Sequence, residues 1–387
     1  MLQNQSTIDN LIQTSISAGE YAGASLLVVK DGEELCCKVY GEADMKQHIP
    51  VRRDTIFHLY SMSKPVTAVA VMKLYEQGKI DLQAEVGTYL PCFKNNTVWT
   101  GSTEVPANRD ITVWDCLNMT SGIPYPGPET ESGRRMDEVF RRLIARREAG
   151  ETVTTMDWME EVAKVPLVFH PGEQWMYGFS ADVLGAVVEA ASGRRFGKFL
   201  KEEIFEPLGM KDTGFFVPEE KKHRFAVSYE NWTDGTLRPF TRSHLGEYYQ
   251  PDVAFESGGA GLVSTMDDYA KFAQMLLNNG SFNGTSILKP ETVALMSRNY
   301  LTEVQRIGYN WDSVQGYGYG CLMRCLEDKA AAQTCGDIGE YGWDGWTGNY
   351  VTINPEKNMV LLFFVQRCGT GFGELTRKVR EEVYAKL

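Results

Sequence analysis

Phe57-His58-Leu59-Tyr60-Ser61-Met62-Ser63-Lys64-Pro65-Val66-Thr67 runs from a short extended segment into a helix start. Beyond it, Val66, Val69, Ala70 and Leu74 recur at three-to-four spacing, and Gly78 supplies the stop. The spacing predicts a helix from about Ser61 to Gln77. Ser61 and Lys64 then share one face, roughly 5–6 Å apart at Cβ. A serine hydroxyl is a weak nucleophile at neutral pH and needs a neighbouring base or cation. A lysine one turn on can serve as either. The helix N-terminus adds partial positive charge and free N–H groups that can hold an oxyanion. A second Ser-x-x-Lys, Ser286-Ile287-Leu288-Lys289, lacks this setting, because its helix begins only at Pro290.

Working outward, Ser25–Lys30 and Glu34–Tyr40 read as strands joined at Asp31-Gly32, where glycine accepts the positive φ of a tight hairpin. Helical composition marks residues 134–149, 155–164 and 180–191. Strands return at Gly316–Met323, Tyr350–Ile353 and Met359–Gln366, the last two turned by Asn354–Asn358. A final helix covers about Gly373 to Leu387. Strands at both ends with helices between predict an α/β (α+β) fold: an antiparallel sheet flanked by helices, with a helical lobe inserted. The expected division of this single domain is an α/β subdomain over about 1–83 plus 225–387 and a helical subdomain over about 84–224.

Composition narrows the function. The 387 residues carry a formal net charge of -12, which disfavours nucleic-acid binding. The arginines at 134, 135, 141, 142, 146 and 147 are interleaved with apolar residues at helical spacing and read as a solvated helix face. No apolar run approaches the roughly 18 residues needed to cross a bilayer. Met1–Asp9 shows no basic stretch followed by an apolar core, so the expected location is cytoplasmic, with the eight cysteines reduced. Cys321 and Cys325 lack zinc-ribbon spacing and a nearby histidine, so no metal is expected. His58 and His170 read as structural residues.

Phe57–Leu82, with Gly78-Lys79-Ile80-Asp81-Leu82 closing the helix, resembles the serine β-lactamase-related superfamily: class C β-lactamases, DD-peptidases and their esterase relatives. Leu117–Ile123, Pro207–Met210 and Ser257–Thr265 resemble further family segments, in order along the chain. The resemblance implies Ser61 as nucleophile, Lys64 as its partner and Tyr177, in Pro171–Ser180, as the third catalytic residue. A phenol beside an ammonium is expected to have a lowered pKa. The family's Lys-Thr-Gly is replaced by Trp343-Asp344-Gly345, and the backbone N–H of Trp346 becomes the second oxyanion donor beside that of Ser61. Trp343 offers the substrate an apolar wall, and Gly345 allows close approach to the strand. Asp344 either faces the pocket, where it repels carboxylates and attracts amines, or points away. Phe179 stands where β-lactamases usually carry an asparagine that contacts the substrate. Both replacements favour carboxylic esters over β-lactams. The activity implied is ester hydrolysis through an acyl-enzyme on a small-molecule ester or amide, without a cofactor. Acyl transfer, D-amino-acid amidase or peptidase action and β-lactamase activity stand behind it, and an inactive binding protein is the alternative from another class.

Overall fold

The computed structural model describes residues 6–241 and 254–387. The chain opens with helix α1 (Ser6–Ser17), then strands β1 (Gly23–Lys30), β2 (Glu33–Asp44) and β3 (Ile49–Pro50), and helix α2 (Ser63–Glu76). Helices α3 (Glu131–Glu148), α4 (Thr155–Val162) and α5 (Ser180–Ser192) follow, and α6 (Met266–Leu277) leads back to the sheet. Strands β4 (Tyr317–Gly320), β5 (Met323–Leu326), β6 (Tyr341–Asp344), β7 (Tyr350–Asn354) and β8 (Met359–Val365) precede the last helix, α7 (Glu374–Tyr384). The main sheet has the order β4-β5-β6-β7-β8-β1-β2-β3 and its pairings are antiparallel. β1 from one end of the chain pairs with β8 from the other, so both ends build the same sheet, as predicted.

Strand periodicity explains the layering. On β1, Leu26 and Val28 join Ile8, Ile12, Leu375, Val379 and Val383 beneath the terminal helices. Leu27 and Val29 point to the opposite face and join the large core around α2. The strand is buried from Gly23 to Val29 because helices cover both faces. The Asp31-Gly32 turn has positive φ at both residues, 54° and 80°, as a tight two-residue hairpin requires.

Two boundaries differ from expectation. The α-helix begins at Ser63, and Ser61 sits one step earlier, on a single 3-10 turn over Tyr60–Met62. The run Gly316–Met323 is not one strand: it folds back at Cys321 and Leu322, both at positive φ, 47° and 63°, into the β4–β5 hairpin. Neither residue is a usual turn former, so composition hid the turn. α2 itself is buried on almost every side, from Ser63 through Met72, which makes it the central helix of the molecule. Among the described residues, no helix is long and apolar enough to cross a membrane.

Candidate active site

Ser61 is delivered by a tight local structure. Phe57–His58 forms a two-residue antiparallel pair with Val263–Ser264. Tyr60, next to Ser61, is held at φ 47°, an uncommon conformation for a side chain of this size. Its ring meets Trp346 edge-on at 5.4 Å. His58 stacks on Phe225 at 4.3 Å, and burial drives its pKa down to about 3, so it is a neutral structural residue as expected. Gly345 contributes in a way the sequence did not suggest. A Cβ there would lie 2.3 Å from the Leu59 carbonyl oxygen. The close approach it permits is therefore to the backbone entering Ser61, and Gly345 does not line the cavity.

Lys64 is fully buried on the first turn of α2. Its Nζ lies 3.1 Å from Ser61 Oγ, 3.1 Å from Tyr125 Oη and 2.8 Å from the Gly259 carbonyl oxygen. Desolvation lowers its pKa from 10.5 to about 7, against the opposing pull of the Asp182 and Asp344 carboxylates. Asp182 comes from α5. It accepts hydrogen bonds from Ser257 Oγ and from the Gly259 N–H at 3.1 Å, which fixes the turn carrying the Gly259 carbonyl.

Tyr177 reaches the same point but behaves differently from expectation. Its pKa is raised, because burial outweighs the lowering effect of the Ser61 hydroxyl and the Trp343 indole. The Lys64 amine lies over the ring face, 4.5 Å from its centroid, rather than against the phenolic oxygen. That amine also gives up its charge easily, so it offers the phenolate little stabilisation. Trp343 Nε1 donates to Tyr177 Oη at 3.2 Å, a hydrogen-bonding role beyond the wall expected of it.

Tyr125 was missed in the sequence. It stands two residues beyond the family-like stretch ending at Ile123, in a loop with no periodicity. An isolated antiparallel bridge between Pro124 and Gly178 sets it beside Tyr177, the ring centroids 5.7 Å apart. Gly178 makes this possible, since a Cβ there would come within 1.9 Å of the Ile123 carbonyl oxygen. Phe179 is a correction. It is fully buried, packs against the rings of Tyr125, Phe140, Trp158 and Phe255, and does not line the cavity. Its place before α5 turns the side chain into the core behind Tyr125.

Ser61, Tyr125 and Tyr177 open into a cavity of about 1130 Å³, also lined by Trp311, Trp343, Asp344 and Trp346. One face of α3, carrying Phe140, Arg141, Ile144 and Ala145, forms a wall. The arginine-rich helix is thus more than a solvated face. Most of its cations are paired with acids, among them Arg135 with Glu104, Arg141 with Asp137, and Arg146 with Glu151. Asp344 lines the cavity, and its carboxylate pairs with Arg324, a buried residue of β5 that the sequence did not single out. The backbone N–H of Trp346 donates to no acceptor among the described residues, and its indole is 42% exposed at the cavity.

This arrangement of serine, buried lysine and two tyrosines can be compared with known proteins. The sequence profile described as beta-lactamase matches residues 8–385. The chain belongs to the beta-lactamase family. Protein Rv1367c of Mycobacterium tuberculosis is 30% identical over 370 residues, covering 92% of this chain and 88% of that protein. Esterase EstB of Burkholderia gladioli is 30% identical over 398 residues, covering 98% of this chain and 95% of the esterase. Among solved structures, EstCE1, described as a hydrolase with promiscuous acyltransferase activity, superposes with a TM-score of 0.83 at 24% identity, covering 98% of both chains. The fold expected from the sequence, an α/β (α+β) β-lactamase-like architecture, is the fold found.

Proposed function

We propose that this protein is a carboxylic ester hydrolase working through a covalent acyl-enzyme on Ser61. The hydrogen bonding of the Lys64 amine carries the reading. A neutral amine has two N–H donors and one lone pair. The Gly259 carbonyl and the Tyr125 hydroxyl stand where they accept the two N–H bonds, at 2.8 and 3.1 Å. The lone pair is left for the Ser61 hydroxyl, 3.1 Å away. With its pKa lowered to about 7, Lys64 holds this neutral form in a substantial share of molecules at neutral pH.

In the first step Ser61 Oγ bonds to the ester carbonyl carbon as its proton passes to Lys64. The developing oxyanion is held by the backbone N–H groups of Ser61 and Trp346. The Tyr177 phenol, hydrogen-bonded to the Ser61 hydroxyl and the Trp343 indole, is protonated in the resting enzyme and is the donor suited to the leaving alkoxide as its bond to the acyl carbon breaks. Water then attacks the acyl carbon and gives its proton to the Tyr177 phenolate, while the lysine ammonium protonates Ser61 Oγ as the Oγ–acyl bond breaks and the carboxylic acid departs. The esterase named among the relatives agrees with this substrate class. A second reading, transfer of the acyl group to an alcohol acceptor, shares the acyl-enzyme. It is favoured by a cavity large enough to hold an acyl chain and an acceptor together. The amidase reading loses its particular support, because Asp344 is already paired with Arg324.

A fluorophosphonate probe tests the proposal. The expected result is label on Ser61, none in Ser61→Ala, and at least a hundredfold slower labelling in Lys64→Met. A folded wild-type protein that stays unlabelled would refute it and favour an inactive binding protein.

A further inference from the structure

Arg324 has surroundings unlike those of any other cavity-lining cation described. It is 2% exposed, and its guanidinium lies 4.6–5.7 Å from the ring centres of Phe372, Tyr350, Trp343 and Tyr317. Such a cage leaves a guanidinium little water, so its charge must be met by a fixed anion. Within the described residues that anion is Asp344: Nη1 bonds one carboxylate oxygen, and Nη2 is buried without a partner. A guanidinium binds a carboxylate best through two parallel N–H bonds. Here the protein's own carboxylate occupies the cation and uses half of the fork. Both residues line the cavity that contains Ser61.

We propose that Asp344 is a specificity gate: it fills the carboxylate seat on Arg324, so that the cavity refuses substrates bearing a carboxylate and admits neutral ones. An incoming carboxylate must displace Asp344 or lie beside it, and the second choice puts two like charges together over one guanidinium. A neutral acyl or alcohol group meets a pair whose charges already cancel. Removing Asp344 leaves a caged guanidinium with an open fork, which is a carboxylate receptor. The inference deepens the ester-hydrolase reading, since it specifies which esters enter, but the gate is a property of binding and stands apart from Ser61 chemistry.

The test therefore uses binding as well as turnover. The cavity-lining tryptophans report on ligand entry through their fluorescence. 4-Phenylbutyrate and its neutral amide are titrated into the wild type, Asp344→Ser and Asp344→Asn, all in the Ser61→Ala background. The asparagine variant keeps an acceptor for Arg324 and so guards against a folding defect. The expected result is at least a tenfold tighter carboxylate affinity in both variants, little change for the amide, and loss of the gain in Asp344→Ser/Arg324→Met. In the Ser61 enzyme, the ratio of kcat/KM for mono-p-nitrophenyl glutarate to that for p-nitrophenyl butyrate rises in parallel. Unchanged carboxylate affinity in folded variants overturns the gate, as does a gain that survives loss of Arg324. Altered binding without any ester turnover would leave the gate standing and remove the hydrolase reading.

Discussion

Replacing Lys64 with methionine isolates the electrostatic feature on which the chemistry depends. Burial moves the lysine from 10.5 to about 7. At about 1.36 kcal/mol per pH unit, holding the ammonium inside the fold costs on the order of 5 kcal/mol. Below the folded pKa of about 7 both folded and unfolded chains are protonated, and this cost is fully present. Between 7 and 10.5 the unfolded chain binds the extra proton, so the cost shrinks as pH rises. Methionine removes the titrating group and leaves the buried Gly259 carbonyl without its partner, a loss of roughly 1–3 kcal/mol, while the Tyr125 hydroxyl lines the cavity and can turn to water there. Lys64→Met is thus expected to be more stable than the wild type by about 2–4 kcal/mol at pH 6. The advantage should narrow by about 1.4 kcal/mol per unit above pH 7 and reverse somewhere above about pH 8.5. Urea denaturation of both proteins at pH 6, 7.5, 9 and 10 measures it. A stability difference that stays constant across that range would refute the argument, because it would mean that Lys64 titrates normally in the fold.

Three further outcomes follow from the same geometry. The kcat/KM of the wild type should climb with pH along a single limb centred at about 7, as the amine becomes neutral, with no falling limb below pH 10 because burial keeps the Tyr177 proton in place; a falling limb near neutrality in a pH–rate profile would contradict the assignment of Tyr177 as a proton donor. Tyr125→Phe removes one acceptor from Lys64 and should cost roughly tenfold in kcat/KM, with the rising limb shifted to lower pH because the ammonium loses a partner; steady-state kinetics across pH read both effects. Gly178→Ala forces a Cβ to within 1.9 Å of the Ile123 carbonyl oxygen and should destabilise the protein by about 2–4 kcal/mol while separating Tyr125 from Tyr177; Gly214→Ala, with nothing within 4 Å of the added Cβ, is the matched control in the same thermal melts.

What could be read in the sequence depended on whether the signal was local. The Asp31-Gly32 hairpin, the central helix and the β7–β8 hairpin each carry their own periodicity and turn residues, and they fold accordingly. Ser61 and Lys64 were legible because three residues of helix-start spacing fix their relation. Tyr125 and Arg324 were not. Tyr125 owes its position to a backbone bridge with Gly178, more than fifty residues away, and Arg324 to an ion pair across neighbouring strands. The raised pKa of Tyr177 is equally a property of the assembled fold. The family resemblance implies a cation beside the phenol, whereas the fold sets the amine over the ring and buries both groups. Phe179 shows the same limit: the backbone turns at Phe179 (φ -79°, ψ 8°) to enter α5, which leaves Tyr177 in the cavity and sends Phe179 into the core behind it.

The central claim is a covalent intermediate on Ser61. Intact-protein mass spectrometry within seconds of mixing with p-nitrophenyl butyrate tests it most directly, with Ser61→Ala alongside. The account predicts one added butyryl group, mapped to Ser61 by peptide digestion, formed with release of p-nitrophenol and absent from the variant. An adduct on another residue, or ester turnover that persists undiminished in Ser61→Ala, would contradict it.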